Sequence, residues 1–354
     1  MEITKELVFR SLSLAGLVAE MEGDNTARWK QCLQKLAHQP VSFQSSFKRY
    51  QQAYHQAHGD SWIDISLILM FENRPLGLWP LSIHYHGGGY LLTSHGLPMW
   101  APVFAGGEEK AIVKKLIVKC LNFLEIMGTE LKLKEVQSRE AFDGETVLSE
   151  WHRQSLLRGG RPSLEYDLYL DLSPGWENVR AKFRDSYKPL INSGLRTWKT
   201  EVFGSGLEKS AWEEFRSLHR EAAGRKTRAD STWEIQFQAV KGDDSFVVFL
   251  RDENNRMVGG GLFDLSATEG NYSVGAYDRS LFKKPLGHVV QALAIKEMIR
   301  RNIKWYRIGT RPFSGNSPGS FSKERSIAYF KEGFSSHLVP VYLMSHPIPS
   351  PVPT

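Results

Sequence analysis

Residues 245–277 read SFVVFLRDENNRMVGGGLFDLSATEGNYSVGAY, and this stretch decides the fold class. Two strand-like runs, 245–251 and 257–264, are separated by the turn-forming residues ENNR at 253–256. A third strand-like run, 271–277, follows a second turn at Glu269-Gly270. The pattern predicts three antiparallel strands joined by short turns.

The same order of elements occurs twice in the chain. After the three strands, the sequence predicts a helix over 287–301 and a strand over 305–308, because apolar residues first recur at helical spacing and then form a short run. A similar series lies about 182 residues earlier, which is typical of an internal repeat. Its predicted elements are strands at 63–71, at 76–83 and from Tyr90, a helix at 108–127 and a strand at 131–136.

Two copies of one α/β unit are the simplest explanation of this order. We expect a first unit over 1–160 and a second unit over 161–346, with a Pro-rich tail at 347–354 that forms neither helix nor ladder. A length of 354 residues agrees with two domains at roughly 150 residues each.

Composition excludes several classes of protein. Hydrophobic residues make up 41% and charged residues 24%, which are values of globular rather than disordered chains. The only two cysteines, Cys32 and Cys120, have no metal-type spacing, and acidic residues stand where a signal peptide needs bases. The apolar run at 65–71 is far shorter than the roughly 18 residues of a membrane span. We therefore expect a cytoplasmic protein without a membrane span.

The positive charge lies in the second half of the chain. Net charge is +6, yet residues 1–160 hold 17 bases and 17 acids. Residues 279–311 hold nine bases and one acid, Glu297. This field would attract a phosphorylated ligand, although a solvated helix face also explains a run of charges.

Several strings resemble one family. The order of elements is similar to that of GNAT acyltransferases, and two such units in one chain resemble the Fem-type transferases and their relatives in bacterial cell-envelope polysaccharide pathways. The strings that carry the resemblance are PVSFQS at 40–45, SYKPLI at 186–191, the stretch from His219 through GRKTR at 224–228 to Trp233 and Gln236, VGAYD at 274–278 and FKEGF at 330–334. The resemblance implies tandem GNAT-like units, each with an antiparallel meander and flanking helices, and an acyltransferase activity.

The start of the helix in the second unit indicates which acyl donor the chain would bind. Acyl-CoA enzymes of this kind hold the pyrophosphate on a glycine-rich loop at a helix N-terminus. Here the corresponding string is KKPLGH, so Lys283, Lys284 and Gly287 are the candidate residues for binding acyl-CoA, although the second glycine of the family loop is absent. Aminoacyl-tRNA, the donor of Fem enzymes, is the alternative.

Catalytic candidates come from three places. Tyr277 ends the strand where the family geometry would place the thioester carbonyl, and Gly275 in that strand is a candidate bulge. His288 is a candidate base, with a core histidine as the alternative. Lys331 resembles the lysine of the Fem Phe-Lys-x-Gly-Phe string and is expected to stabilise charge during transfer; an ordinary helix-end cation is the alternative.

A second set of residues is expected to bind the acceptor. Arginines can bind a diphosphate or carboxylate through two nitrogens, and a tryptophan one helical turn from an amide offers a stacking plane. We expect these side chains, Asp278 apart, to line one cleft with Tyr277 and Lys331, with core packing and a solvated loop as the alternatives. The set comprises His219, Arg225, Arg228, Trp233, Gln236 and Asp278.

No metal cofactor is expected. His84, His86 and His95 form a histidine cluster, but no carboxylate or thiol lies near them in sequence. A metal role is therefore not favoured for these histidines.

Together these features predict an N-acyltransferase whose second unit carries the active cleft. The acyl group would move from a thioester, acyl-CoA, to an amine of a sugar or nucleotide sugar used for an envelope polysaccharide. The first alternative is an aminoacyl-tRNA-dependent transferase that acts on a peptidoglycan precursor. The second is a GNAT-like binding module without catalysis.

Overall fold

The computed structural model describes residues 5–107, 109–142, 148–313 and 322–349. The chain forms two compact units. Unit 1 comprises Met1–Gln39, His55–Leu164 and Val341–Thr354, and unit 2 comprises Pro40–Tyr54 and Glu165–Pro340. The expected division at residues 160 and 346 therefore differs in two places, since 40–54 belong to unit 2 and residues from 341 onward to unit 1.

The helices and strands alternate along the whole chain. The helices are α1 (Lys5–Leu14), α2 (Thr26–Gln34), α3 (Ser45–Gln56), α4 (Lys110–Glu130), α5 (Glu150–Leu157), α6 (Trp176–Ala181), α7 (Tyr187–Thr197), α8 (Lys209–Ala223), α9 (Asp230–Lys241), α10 (Leu286–Arg300) and α11 (Ser322–Glu332). The strands are β1 (Ala19–Met21), β2 (Ser61–Asp64), β3 (Leu67–Phe71), β4 (Arg74–Trp79), β5 (Ser82–His86), β6 (Gly89–Thr93), β7 (Met99–Trp100), β8 (Val103–Phe104), β9 (Glu135–Arg139), β10 (Arg161–Asp171), β11 (Lys199–Phe203), β12 (Ser245–Arg251), β13 (Met257–Leu265), β14 (Glu269–Tyr277), β15 (Trp305–Thr310) and β16 (His337–Pro347).

The sheet of unit 2 has the strand order β11-β12-β13-β14-β15-β10. All seven residues of β12 are buried, because α10 packs on one face of the sheet and α8 and α9 on the other. Glycines in β13 permit this close packing. A Cβ on Gly260 would lie 3.0 Å from the Phe215 ring of α8, and one on Gly261 would lie 2.9 Å from Val290 of α10.

Unit 1 repeats this order in a modified form. Strands β1, β3, β4 and β8 form an antiparallel sheet, and β7 pairs in parallel with β9. Strand β14 of unit 2 makes both kinds of pairing by itself, antiparallel to β13 and parallel to β15. The short strands β7 and β8 therefore correspond together to β14. Helix α4 corresponds to α10, since each links the two strands of the parallel pair.

The prediction that the third strand of the first meander starts at Tyr90 is wrong. Tyr90 lies in β6, which joins β5 and β2 in a separate three-stranded sheet. Pro80 follows β4 and has no N–H for a ladder, so the chain leaves the first sheet there. The hairpin of β5 and β6 is an insertion, and the equivalent of the third strand begins only at Met99.

Each unit is completed by a strand from the other half of the sequence. Strand β10 follows the elements of unit 1 along the chain and pairs with β15 of unit 2. Strand β16 follows the elements of unit 2 and pairs with β9 of unit 1. The pairing of β16 with β9 explains why residues from 341 onward belong to unit 1 rather than to unit 2.

The first residues of the expected Pro-rich tail belong to unit 1. Pro347 ends β16 opposite Glu135, and Ile348 is buried in the core of unit 1. Residues 350–354 lie outside the described residues. None of the described helices combines the length and apolar content needed to cross a membrane.

Candidate active site

The parallel pairing of β14 with β15 is short. It joins only residues 269–271 to 305–307, and the ladder ends there. Just beyond this point, the hydroxyl groups of Tyr272 and Tyr277 lie 3.0 Å apart. Burial raises the pKa of Tyr272 to about 12 and that of Tyr277 well above its ordinary value, so both phenols keep their protons at neutral pH.

A β-bulge brings these two tyrosines together. Residues an odd number apart face opposite sides of a regular strand. The register shifts between Leu262, which pairs with Val274, and Phe263, which pairs with Tyr272, so Ser273 is the extra residue. The bulge thus lies two residues before Gly275, where it was expected. Gly275 has a different role, since a Cβ there would lie 1.9 Å from the Tyr272 hydroxyl.

Lys331 reaches the same place from the last turn of α11. Its Nζ lies 5.3 Å from the centre of the Tyr272 ring. Gly309 of β15 has φ of 146°, a backbone conformation that favours glycine, and a Cβ there would lie 2.5 Å from Nζ, so a larger residue would displace the lysine from this position. Burial and the charge of Arg307 lower the pKa of Lys331 to about 8. Arg307 is itself held by Asp167, whose carboxylate lies 2.9 Å from its Nε.

A second feature is a cavity of about 430 Å³ at the loop between α8 and α9. It contains four predicted acceptor residues, His219, Arg225, Arg228 and Trp233. The full lining among the described residues is Glu213, Arg216, Ser217, His219, Arg220, Arg225, Lys226, Thr227, Arg228, Asp230 and Trp233.

Arg228 is the unusual residue of this cavity. Its side chain is buried, with only 8% of the residue exposed, and its guanidinium stacks 3.7 Å above the Trp233 ring. Nη1 donates to the Tyr50 hydroxyl at 3.0 Å. Within the described part of the chain, Nε and Nη2 have no hydrogen-bond partner. A buried guanidinium stays charged, and the charge of the buried Asp264 carboxyl acts on it. The two nitrogens that have no partner among the described residues still carry a desolvation cost, which a bound anion would reduce.

The other residues of the acceptor set have varied surroundings. The His219 ring lies 5.1 Å from that of Trp233, and burial together with the charge of Arg228 lowers the pKa of His219. Trp233 also belongs to the buried core formed by α8, α9 and the sheet, so the packing alternative holds for it as well. Arg225 is exposed. Gln236 is buried and is not part of the cavity lining among the described residues.

The expected single cleft is divided by β14. Ala276 packs in the core beneath α8 and α9, whereas Tyr272 and Tyr277 pack in the core on the α10 side. The Arg228 cavity and the group of Tyr272, Tyr277 and Lys331 therefore flank the same strand, and neither Tyr277 nor Lys331 lines the cavity in the described structure. Asp278 lies apart from both, where it accepts from Ser280 and pairs with Arg256 at 2.9 Å.

The predicted donor-binding residues lie at the start of α10. Lys283 and Lys284 are exposed, and Lys284 lies 5.4 Å from the Trp198 ring. Gly287 packs against Phe330 of α11, whose ring would lie 3.1 Å from a Cβ at that position.

His288 lies among aromatic rings. The Tyr187 ring is 4.5 Å away and the Phe330 ring 5.0 Å away, each edge to face. Burial lowers the pKa of His288 to about 4, so the imidazole is neutral at pH 7. These surroundings favour the packing alternative, and its role as a base stays a prediction.

The sequence analysis missed Tyr50, Tyr272, Asp167 and Gly309. Tyr50 lies 178 residues from Arg228, and no periodicity links the two. The alternation of a regular strand places Tyr272 and Tyr277 on opposite faces, so without the bulge nothing links Tyr272 to the site. Gly309 carried a weak signal, since a lone glycine inside a strand often marks close approach of another group.

Comparison with known proteins gives the fold a name. No family model matches the sequence, and no curated protein matches it either. Among solved structures, FemX matches with a TM-score of 0.61 at 11% identity, over 84% of this chain and 91% of that one. A tandem GNAT protein from the clavulanic acid biosynthesis pathway matches with a TM-score of 0.51 at 9% identity, over 93% and 97% of the two chains. The chain has a tandem GNAT-like fold.

A further match extends this fold group. The C-terminal DUF2156 domain of a putative lysylphosphatidylglycerol synthetase from Agrobacterium fabrum has a TM-score of 0.58 at 10% identity, over 91% of this chain and 92% of that domain. Identities this low concern the tandem GNAT-like fold alone.

Proposed function

We propose that the chain is an N-acyltransferase that moves an acyl group from acyl-CoA to an amine of a phosphate-bearing acceptor, such as a nucleotide sugar for an envelope polysaccharide. The observation that carries this proposal is Arg228, a buried guanidinium at a cavity of about 430 Å³, two of whose nitrogens have no hydrogen-bond partner among the described residues. A diphosphate supplies the paired oxygens that such a guanidinium binds. Trp233 beneath it supports stacking of a base or sugar.

The reaction in this proposal takes place in unit 2, where β14 and β15 part. Because β14 separates this place from the Arg228 cavity, the proposal requires an acceptor long enough to extend from Arg228 past the strand to Lys331. The acceptor amine attacks the thioester carbonyl, and the carbonyl oxygen becomes an oxyanion. The ammonium of Lys331 stabilises that charge, as preorganised donors do in acyl transfer. The C–S bond then breaks, and the sulfur takes a proton from the Tyr272–Tyr277 pair and leaves as a thiol. The amine nitrogen, which must lose a proton to become an amide, returns a proton to the tyrosine pair.

The donor assignment is supported by the start of α10. Lys283 and Lys284 are exposed there, next to the N-terminus of a 15-residue helix. Exposed ammonium groups at a helix N-terminus favour binding of phosphates such as those of CoA.

An aminoacyl-tRNA donor, with a peptidoglycan precursor as acceptor, is the second candidate. Gly287 packs against Phe330, and KKPLGH offers no second glycine, so the first turn of α10 is a poor cradle for a pyrophosphate. The nine bases of 279–311 would instead hold tRNA phosphates, and such binding weakens steeply with salt.

Calorimetry with uridine diphosphate tests the acceptor proposal. We expect Arg228→Met to keep the stacking volume but to weaken binding about 10- to 100-fold, the loss of a charge-assisted pair of hydrogen bonds. Because the charge of Arg228 also acts on the buried Asp264, the melting temperature of the variant is measured alongside, so that loss of binding is scored only for folded protein. Arg196→Gln, an exposed arginine of the same unit, is the control. Equal affinity of Arg228→Met and wild type would overturn the acceptor site.

The donor is tested separately. Intact-mass measurement after gentle purification should find bound CoA, and acetyl-CoA should acylate an amine of a nucleotide amino sugar. Absence of CoA binding together with salt-sensitive retention of aminoacyl-tRNA would transfer the proposal to the second candidate. If the protein bound neither CoA nor aminoacyl-tRNA, the result would favour a GNAT-like binding module without catalysis.

A further inference from the structure

A cluster of histidines surrounds one carboxylate in unit 1 and shares no residue with the candidate active site described above. Asp60 lies between α3 and β2, and its two oxygens contact two different imidazoles. His55 Nδ1, in the last turn of α3, lies 3.1 Å from Asp60 Oδ2. His86 Nδ1, at the end of β5, lies 2.6 Å from Asp60 Oδ1. The fold thus supplies the carboxylate that the sequence around His84 and His86 lacks.

His84 is the buried member of this cluster. Only 4% of the residue is exposed, and its Nδ1 has no hydrogen-bond partner among the described residues. It stacks on Trp62, its cross-strand neighbour, with ring centres 5.1 Å apart and planes within 6°. A buried imidazole nitrogen without a partner costs free energy that a bound ion would recover.

The potential ligand atoms of His55, Asp60 and His84 all lie within 4.8 Å of one another. In a tetrahedral zinc site, ligand atoms at about 2.0–2.2 Å from the metal lie roughly 3.3 Å apart. The pair of His55 and Asp60 already has this spacing, and the His84 ligand atom needs a shift of up to about 1.5 Å.

We propose that His55, Asp60 and His84 form a binding site for a divalent transition metal, with Zn²⁺ as the best fit and His86 as a fourth ligand or as the hydrogen-bonding partner of Asp60. Imidazole with one carboxylate suits zinc, whereas calcium and magnesium need more oxygen ligands than this cluster offers. The ion would join the end of α3 to β2 and β5 and so stabilise unit 1.

The orientation of His55 agrees with this site. A Cβ on Gly96 would lie 2.0 Å from His55 Nε2, so the backbone at Gly96 covers that edge of the ring. The Nδ1 edge is the one that faces Asp60. Neighbouring rings keep the imidazoles in place, since His55 also stacks near Trp62 at 5.3 Å.

Calorimetric titration of the chelator-treated, full-length protein with Zn²⁺ tests the site. We expect one ion per chain and a rise in melting temperature. Asp60→Asn and His84→Asn should each weaken binding by more than about 100-fold, beyond the loss seen for outer-shell partners. His58→Asn is the matched control, because His58 is an exposed histidine in the same loop but outside the cluster.

Cobalt provides a second measurement on the unmodified protein. Co²⁺ bound by imidazole and carboxylate in a four-coordinate site gives intense visible d–d bands, and Zn²⁺ should displace them at one equivalent. This readout remains valid if a variant fails to fold. Absence of Zn²⁺ binding by the wild type, weak octahedral cobalt bands, or zinc affinity unchanged in folded Asp60→Asn and His84→Asn would overturn the proposal and leave Asp60 as a hydrogen-bond acceptor only.

Discussion

The two units differ most at the point where each parallel strand pair ends. In unit 1, the ladder joins 99–100 to 138–139, and a cavity of about 260 Å³ follows it, lined in part by 101–104 and 140–142. In unit 2, Tyr272 and Tyr277 lie beyond the ladder. The same order of strands thus leads to an open apolar space in one unit and to a hydroxyl pair beside a lysine in the other.

Equivalent arginines show the same contrast. Arg139 is paired with Trp100 in unit 1, as Arg307 is with Asn271 in unit 2. Arg139 lies 4.7 Å from the centre of the Trp100 ring, whereas Arg307 forms an ion pair with Asp167. The described lining of the unit 1 cavity has Glu140 and Glu150 but neither lysine nor arginine. The cationic side chains that could bind an anion therefore lie at the site of unit 2.

The largest effect is expected at Lys331. Lys331→Met should lower the acyl-transfer rate by about 10²–10³-fold, the usual loss when one oxyanion donor is removed. Lys110→Met, at the exposed start of α4 in unit 1, should leave the rate unchanged. Steady-state kinetics of the two variants measures the contrast. Equal losses in both would remove the functional difference between the units.

The low pKa of Lys331 gives a pH dependence of known sign. The folded protein loses this proton near pH 8, whereas the unfolded chain keeps it to about 10.5. The unfolded state binds the extra proton between these values, so stability should rise with pH there, while a rate that needs the charged lysine falls above pH 8. Denaturant unfolding and rate profiles should lose both trends in Lys331→Met; a wild-type rate that is flat through this range would contradict the role of the charge.

The next effect in size is on stability, and it compares the surroundings of Arg307 with those of Arg139. Asp167→Asn leaves Arg307 buried without its carboxylate and should lower the free energy of unfolding by about 3 kcal/mol or more. Trp100→Phe keeps an aromatic ring under Arg139 and should cost less than about 1.5 kcal/mol beyond the lost volume. Urea denaturation measures both. If Trp100→Phe lowered the free energy of unfolding more than Asp167→Asn does, the environment of Arg139 in unit 1 would be the more stabilising of the two.

The smallest effect concerns the helix starts. Replacement of Lys283 and Lys284 by Glu should weaken CoA binding about 10-fold, more than exposed charges alone would cause. The matched change of Lys110 and Lys114 by α4 should alter it less than about 2-fold. Calorimetry with CoA decides between the units. The reverse ranking would assign the donor to the cavity of unit 1.

Local sequence predicted unit 2 better than unit 1. The three strands at 245–277 and the helix after them follow from continuous runs and clear turns. In unit 1, the corresponding third strand consists of two-residue pieces after an inserted hairpin, which is too short to leave a pattern. The exchange of β10 and β16 also leaves no local signal.

The candidate site was predictable only where its residues are close in sequence. His219, Arg225, Arg228 and Trp233 come from one helix-loop-helix segment, and they share a cavity. Contacts between residues far apart in sequence were not predictable, such as that of Arg228 with Tyr50 or of Lys331 with Tyr272. The bulge at Ser273 is a single extra residue, and it alone decides which side chains face Lys331.

Hydrogen exchange measured by mass spectrometry, with and without uridine diphosphate, tests most directly whether unit 2 binds the anionic substrate. The account predicts slower exchange over 224–233, the loop and first turn around Arg228, with no change over 101–104 at the cavity of unit 1. Protection confined to 101–104, or no protection in either segment at saturating ligand, would contradict it.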